Sequence, residues 1–156
     1  MRVFPFSPKS NAKLCPGDFW ALPLRDGSYA CGVVLQLPPA GTSGVKVSFL
    51  GGLLNWHSAE QPTLAKISNC RLIEQGVMHI LAIQQSGKAI LGNIPLEANG
   101  IEPLECINGN IIQKGYTPVR PWQREDNDVL PSFSYWGYDI ITANAHKHFL
   151  GSLLSA

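Results

Sequence analysis

Apolar residues in this chain recur at every second position or in short unbroken runs, and Gly, Pro, Asn and Asp interrupt them every few residues. That pattern predicts strands over most of the length. From Tyr29 to Leu35, Tyr29, Cys31, Val33 and Leu35 alternate with Ala30, Gly32 and Val34, so both faces of one strand are apolar and both should be buried. A preceding apolar strand begins near Gly17 and reaches it over Asp26-Gly27, the dipeptide favoured in a type I′ hairpin turn, whose two central residues need positive φ. Pro23 has no N–H to donate, which places the first strand at an edge or a bulge, and Gly32 marks a bend or a close backbone approach.

Beyond a loop at Pro38-Pro39-Ala40-Gly41-Thr42-Ser43-Gly44, Val45, Val47 and Phe49 alternate with Lys46 and Ser48 as a third strand, which Gly51-Gly52 should end. Leu64 and Ile67 have helical spacing within an ambiguous stretch, read as a short helix or loop leading into a strand at Arg71-Leu72-Ile73. Val77 to Ile83 reads as one fully buried strand containing His79, Lys88–Leu91 as a further short strand, and Glu105 to Ile112 as a hairpin around Asn108-Gly109. Prolines and charges between Tyr116 and Phe133 predict a surface loop with aromatic anchors. Asp139 to Leu150 predicts a closing helix with Ile141, Ala145, His148 and Phe149 on one stripe and Gly151 at C′. The expected fold is mainly β (α+β): a small, strongly bent antiparallel sheet or SH3-like partial barrel with a C-terminal helix. Residues 1–14 form an extended lead-in and 15–156 a single β-rich domain.

Composition narrows the functions. At 156 residues and 45% hydrophobic content, one domain with a substantial core is expected. Twelve Lys and Arg against eleven Asp and Glu give a net charge of +1, too little for binding nucleic acid through its phosphates and too little for acidic mimicry of it. Cys15, Cys31, Cys70 and Cys106 form no C-x-x-C, so a zinc site is not expected and buried free thiols are. The first fifteen residues lack the apolar run of a signal peptide, and no stretch approaches the roughly 20 apolar residues of a membrane span, so a soluble cytoplasmic protein is expected.

Catalytic patterns are sparse. His146 and His148, two apart on a helix, point to different faces and are badly placed to chelate. His79 reads as a core histidine, and His57 as a contact residue in a loop after Trp56, with Glu60 nearby. No G-x-S-x-G elbow occurs, and Gly51-Gly52 lacks the rest of a phosphate loop. Trp20 and Trp136 read as core, whereas Trp56 and Trp122 read as loop anchors of the kind that dominate protein interfaces. The expected contact set is therefore Trp56, His57, Glu60, Trp122, Arg124, Glu125 and Asp126, with no catalytic residue, metal or cofactor.

The run Gly17-Asp18-Phe19 through Pro23-Leu24, Asp26-Gly27, Tyr29, Gly32 and Val33 resembles the opening of the immunity protein 26 family of bacterial polymorphic toxin systems. Ala89-Ile90-Leu91-Gly92-Asn93, Leu130-Pro131 and Tyr135-Trp136-Gly137-Tyr138 resemble later parts of that family; Lys88-Ala89 and the segment around Trp122 depart from it. The resemblance implies a cytoplasmic immunity protein that binds and neutralises a cognate toxin domain by protein–protein contact. Small phosphotriesterases are similar as well, which gives the alternative of a metal-dependent phosphotriester hydrolase using His57, His79 and nearby carboxylates. A second alternative is an SH3-like module binding proline-rich peptides.

Overall fold

The computed structural model describes residues 2–42 and 46–151. Ser43 and Gly44 of the predicted loop, Val45 of the predicted third strand and the last five residues lie outside this set. The chain is mainly β, with antiparallel sheets of five and three strands and a C-terminal helix, and it is not a closed barrel. In the larger sheet, β1 (Asp18–Pro23), β2 (Tyr29–Gln36), β3 (Ser48–Ser58), β4 (Leu72–His79) and β5 (Ile90–Asn93) take the order β4-β3-β2-β1-β5. The smaller sheet runs β6 (Glu105–Asn108), β7 (Ile111–Lys114), β8 (Thr117–Pro121).

Alternation along the central strands sorts the core into two layers. Trp20, Leu22, Ala30, Val34, Phe49 and Leu53 face one side, covered by α2 (Leu81–Gln84) and α3 (Ile140–Leu150). Phe19, Cys31, Val33, Leu35, Leu50 and Leu54 face the other, where Ile67 of α1 (Leu64–Ile67), Ile94 and Ile101 cover them. β2 is thus buried on both faces, as its apolar alternation predicts.

At the β1–β2 hairpin the positive φ falls on Gly27 (86°) and not on Asp26, so the loop is the three-residue form Arg25-Asp26-Gly27 and not type I′. Leu24 N–H bonds Ser28 O at 2.8 Å, and Asp26 Oδ1 accepts from Ser28 N–H at 2.9 Å, an Asx-type bond that closes the loop. Pro23 sits at the end of β1 that β5 leaves uncovered, since β5 pairs only with Asp18 to Trp20.

Three expectations change. Gly51-Gly52 does not end β3, which continues to Ser58. A Cβ on Gly51 would come within 2.6 Å of Met78 Cε and one on Gly52 within 2.3 Å of Leu72 Cδ1, so these glycines make room for side chains inside a strand. The Val77–Ile83 run is not one strand: β4 stops at His79, whose Nδ1 accepts from Leu81 N–H at 3.0 Å, and Leu81–Gln84 turns as α2. His79 is consequently exposed. Tyr116–Phe133 is not all loop, because Thr117–Pro121 pairs with β7 and Arg124–Asp128 forms a 3-10 turn.

The two sheets are joined by a strap, residues 131–136. Ile107 N–H bonds Pro131 O and Phe133 N–H bonds Ile107 O, both at 2.8 Å; on the other side Val77 N–H bonds Ser134 O and Trp136 N–H bonds Val77 O, again at 2.8 Å. The strap therefore covers the open edges of both β6 and β4, leaving neither as a template for aggregation. Alternation sends Phe133 to one core layer and Trp136 to the other, where its indole lies over Gly76. The helix α3 ends at Gly151 (φ 76°) as expected, with Ile141 and Ala145 buried, but His148 leaves the apolar stripe for Glu74, 2.6 Å away.

Candidate functional site

The expected contact residues do not converge. Trp56 and His57 are on β3 and not in a loop, and as strand neighbours they point to opposite faces: Trp56 packs on the Phe19–Leu54 layer, while the His57 ring stacks on Phe149 of α3 at 5.1 Å and 11°. Glu60 is exposed and paired with Lys66 at 2.8 Å, which lowers its pKa. Trp122, Arg124, Glu125 and Asp126 follow β8, at the far end of the strand order from β5.

Within that last group Asp126 is structural. It is buried, accepts both Arg120 Nη1 (3.0 Å) and Nη2 (2.7 Å), and receives Gln123 N–H at 2.8 Å in a capping box. The Arg120 hydrogen bonds, then the Gln123 N–H, hold its carboxyl below the usual range. Trp122 Nε1 donates to Asn127 Oδ1 at 3.2 Å, which braces the same knob. Arg120→Ala is expected to speed amide exchange across 120–129 by at least about tenfold while the five-stranded sheet keeps its protection. Acidification should act alike: a carboxyl with a lowered folded pKa stabilises fully above its unfolded pKa, near 3.9, and loses that contribution as pH falls through the folded value.

The two histidines named for the hydrolase alternative do not come together. His57 and His79 lie toward opposite ends of the β3–β4 ladder, since Ser48 pairs with His79 while His57 is nine residues further along β3, roughly 25–30 Å at strand rise. Among the described residues no three His, Cys, Asp or Glu side chains are grouped to hold a metal ion. Asp26, Ser28 and His57 do meet, with His57 Nε2 2.7 Å from Ser28 Oγ, but in the wrong order for a triad. The Ser28 hydroxyl stands between carboxylate and imidazole; it donates to Asp26 Oδ1 and accepts from His57 Nε2–H. Ser28 is 9% exposed, and its hydroxyl hydrogen bond, with that of its N–H, lowers the Asp26 pKa. The array clamps the hairpin to β3. His146 is also occupied, with Nδ1–H donating to Thr142 O at 2.9 Å and Nε2 accepting from Arg25 N–H at 3.1 Å.

What the sequence reading missed is the exposed face of the strap and its flanks. Val129 and Tyr135 are 76% and 77% exposed, and Tyr138 and Ile140 follow at 47% and 36%. Tyr135 is held edge-on to Phe133 at 5.5 Å, and Phe133 meets Tyr116 at 6.0 Å, so the exposed ring grows out of the core. Beside it Val47, Val77, His79, Tyr116 and Tyr135 bound a hollow of about 400 Å3. Burial pushes the Tyr116 hydroxyl up to about 12, so it stays protonated. The alternation Phe133-Ser134-Tyr135-Trp136 after Pro131 was the available signal.

Comparison with family models, with curated proteins and with solved structures finds no match. No helix among the described residues is long and apolar enough to cross a membrane.

Proposed function

We propose that this chain is a protein-binding module that neutralises a cognate bacterial toxin domain by covering it, working in the cytoplasm as the immunity partner of a toxin–immunity pair. The observation that carries this reading is Tyr135, a large ring left in water on a strap bonded to both sheets, with Val129, Tyr138 and Ile140 exposed on the segments that flank it. Aromatic anchors presented by a rigid backbone are what interface hot spots consist of, because little side-chain freedom is lost when they dock. The Gly17–Val33 resemblance supplies the kind of partner. Trp122, Arg124 and Glu125 lie upstream of the strap in the sequence and stay in the proposed contact set, whereas Asp126, Trp56 and Glu60 are engaged by other parts of the chain.

The test is co-expression with the C-terminal domain encoded by the neighbouring reading frame. The native chain should restore growth, and Tyr135→Ala/Tyr138→Ala, with an unchanged circular dichroism spectrum, should lose protection, each ring contributing about 2 kcal/mol to binding. A harmless neighbouring domain, or undiminished protection by the double variant, overturns the reading.

A further inference from the structure

Four segments build the hollow beside Tyr135, and hydrogen bonds hold each of them in place. Val77 and His79, two apart on β4, face the same side of that strand and both line the hollow. Val47 joins them because its carbonyl accepts Ile80 N–H at 2.8 Å. Tyr135 is fixed by the strap, in which Ser134 O and Trp136 N–H both bond Val77, and Tyr116 by its own N–H, which donates to Gln36 Oε1 at 2.8 Å. The result is a mostly apolar concavity of about 400 Å3, a size that falls in the range of roughly 300–1,000 Å3 usual for small-molecule sites.

Two polar groups of its walls are committed donors. The Tyr116 hydroxyl is buried and has no hydrogen-bond partner among the described residues. Burial first, and then the Tyr135 phenol, push it up to about 12, so it keeps its proton, and the influence of Tyr135 puts the hydroxyl end of Tyr116 toward that wall. His79 Nδ1 accepts from Leu81 N–H, which leaves the imidazole proton on Nε2. No Asp, Glu, Lys or Arg is among the described residues that line the hollow. A cationic ligand would find no carboxylate there, and a phosphate no positive charge. What fits is an apolar body that ends in acceptor oxygens.

We infer that this hollow is a binding site for a small aromatic carboxylate, its ring packed against Tyr135 and the two valines and its oxygens bonded by Tyr116 O–H and His79 Nε2–H. A flat ring suits a wall that is itself a fixed aromatic ring, and a carboxylate satisfies both donors at once. The site goes beyond toxin binding and does not depend on it.

The experiment titrates the purified full chain with 2-naphthoate, and with 2-naphthylmethylammonium as the cationic counterpart, read by backbone amide chemical shifts. Saturable shifts centred on residues 47, 77, 79, 116 and 135 are expected for the carboxylate alone. Tyr116→Phe removes one oxygen and should weaken binding at least about tenfold, and His79→Asn, which keeps an acceptor for Leu81 N–H but withdraws Nε2, at least about threefold. Because the hydroxyl has no partner in the chain itself, Tyr116→Phe without the probe should leave the urea midpoint unchanged or raised. Absent or displaced shifts, equal binding of the ammonium probe, undiminished affinity in either variant, or a lowered urea midpoint for Tyr116→Phe overturns the inference. None of these outcomes bears on protection against a toxin.

Discussion

Replacing Trp20 with alanine is expected to remove about 3–5 kcal/mol of stability. Trp20 is fully buried at the centre of β1, and its cross-strand partner is Gly32. The indole lies on that glycine: a Cβ there would stand 2.5 Å from ring atom Cζ2. Phe49 meets the ring edge-on at 5.8 Å and 86°. Truncation therefore opens a cavity with a bare backbone floor, which no neighbouring side chain can fill by a rotamer change. The indole Nε1 is buried without a hydrogen-bond partner, and such a group costs about 1–3 kcal/mol. Trp20→Phe removes that orphan donor and keeps most of the ring, so it should cost less than half of what Trp20→Ala costs. Urea unfolding of the two variants measures the difference. Equal losses would mean that Nε1 is satisfied in solution.

Period-two alternation made β1 and β2 legible, because both residue sets of β2 are apolar and enter apolar layers. The closing helix was legible from Ile141, Ala145 and Gly151. Errors came where one residue type serves two purposes. Glycine pairs commonly end strands, yet Gly51 and Gly52 lie inside β3 because Met78 and Leu72 occupy the space above them, a tertiary cause that no local window contains. The apolar run through His79 gave no sign of a break, since the break comes from an imidazole accepting the Leu81 N–H while Ile80, Ala82 and Ile83 stay apolar and buried.

The candidate site was harder to read for a related reason. Exposed aromatics were sought where charges and prolines cluster, and that rule found Trp122 but also Asp126, which Arg120 and Gln123 consume. Tyr135 lies instead in an extended segment paired on both sides, where a hydrophobic residue reads as core. Tyr135 escapes the core because the pairing at Val77 is a single bridge at the junction of two sheets, so one side of the strap has no further layer above it.

The second large effect is expected at the start of β1, two residues before Trp20, where Arg2 binds Asp18. Asp18 has no exposed surface, and each carboxylate oxygen takes two donors: Oδ1 from Arg2 Nη1 at 2.6 Å and Asn93 Nδ2 at 2.9 Å, Oδ2 from Arg2 Nη2 at 2.6 Å and Cys15 N–H at 2.9 Å. Arg2 also donates to Lys13 O at 2.8 Å, and its guanidinium carbon stands 5.1 and 5.5 Å from the Phe4 and Phe6 ring centres. The lead-in is thus clamped to the first residue of β1, and Phe6 exchanges backbone hydrogen bonds with Ile90 along the outer edge of β5. Arg2→Ala leaves a buried carboxylate without its counter-ion. Breaking such a pair costs about 3–5 kcal/mol when both partners are enclosed, and about 2–3 kcal/mol is expected here because the Arg2 side chain is 34% exposed. Arg2→Lys should fall between, since an ammonium cannot make the parallel fork. In a double-mutant cycle, Arg2→Ala in an Asp18→Asn background should cost less than half of what it costs alone, because the neutral amide no longer needs a cation. Additive losses would mean that Arg2 faces water in solution, and the lead-in would then be held by its remaining contacts, among them Phe6, Leu14 and the hydrogen bonds at Pro8 and Asn11.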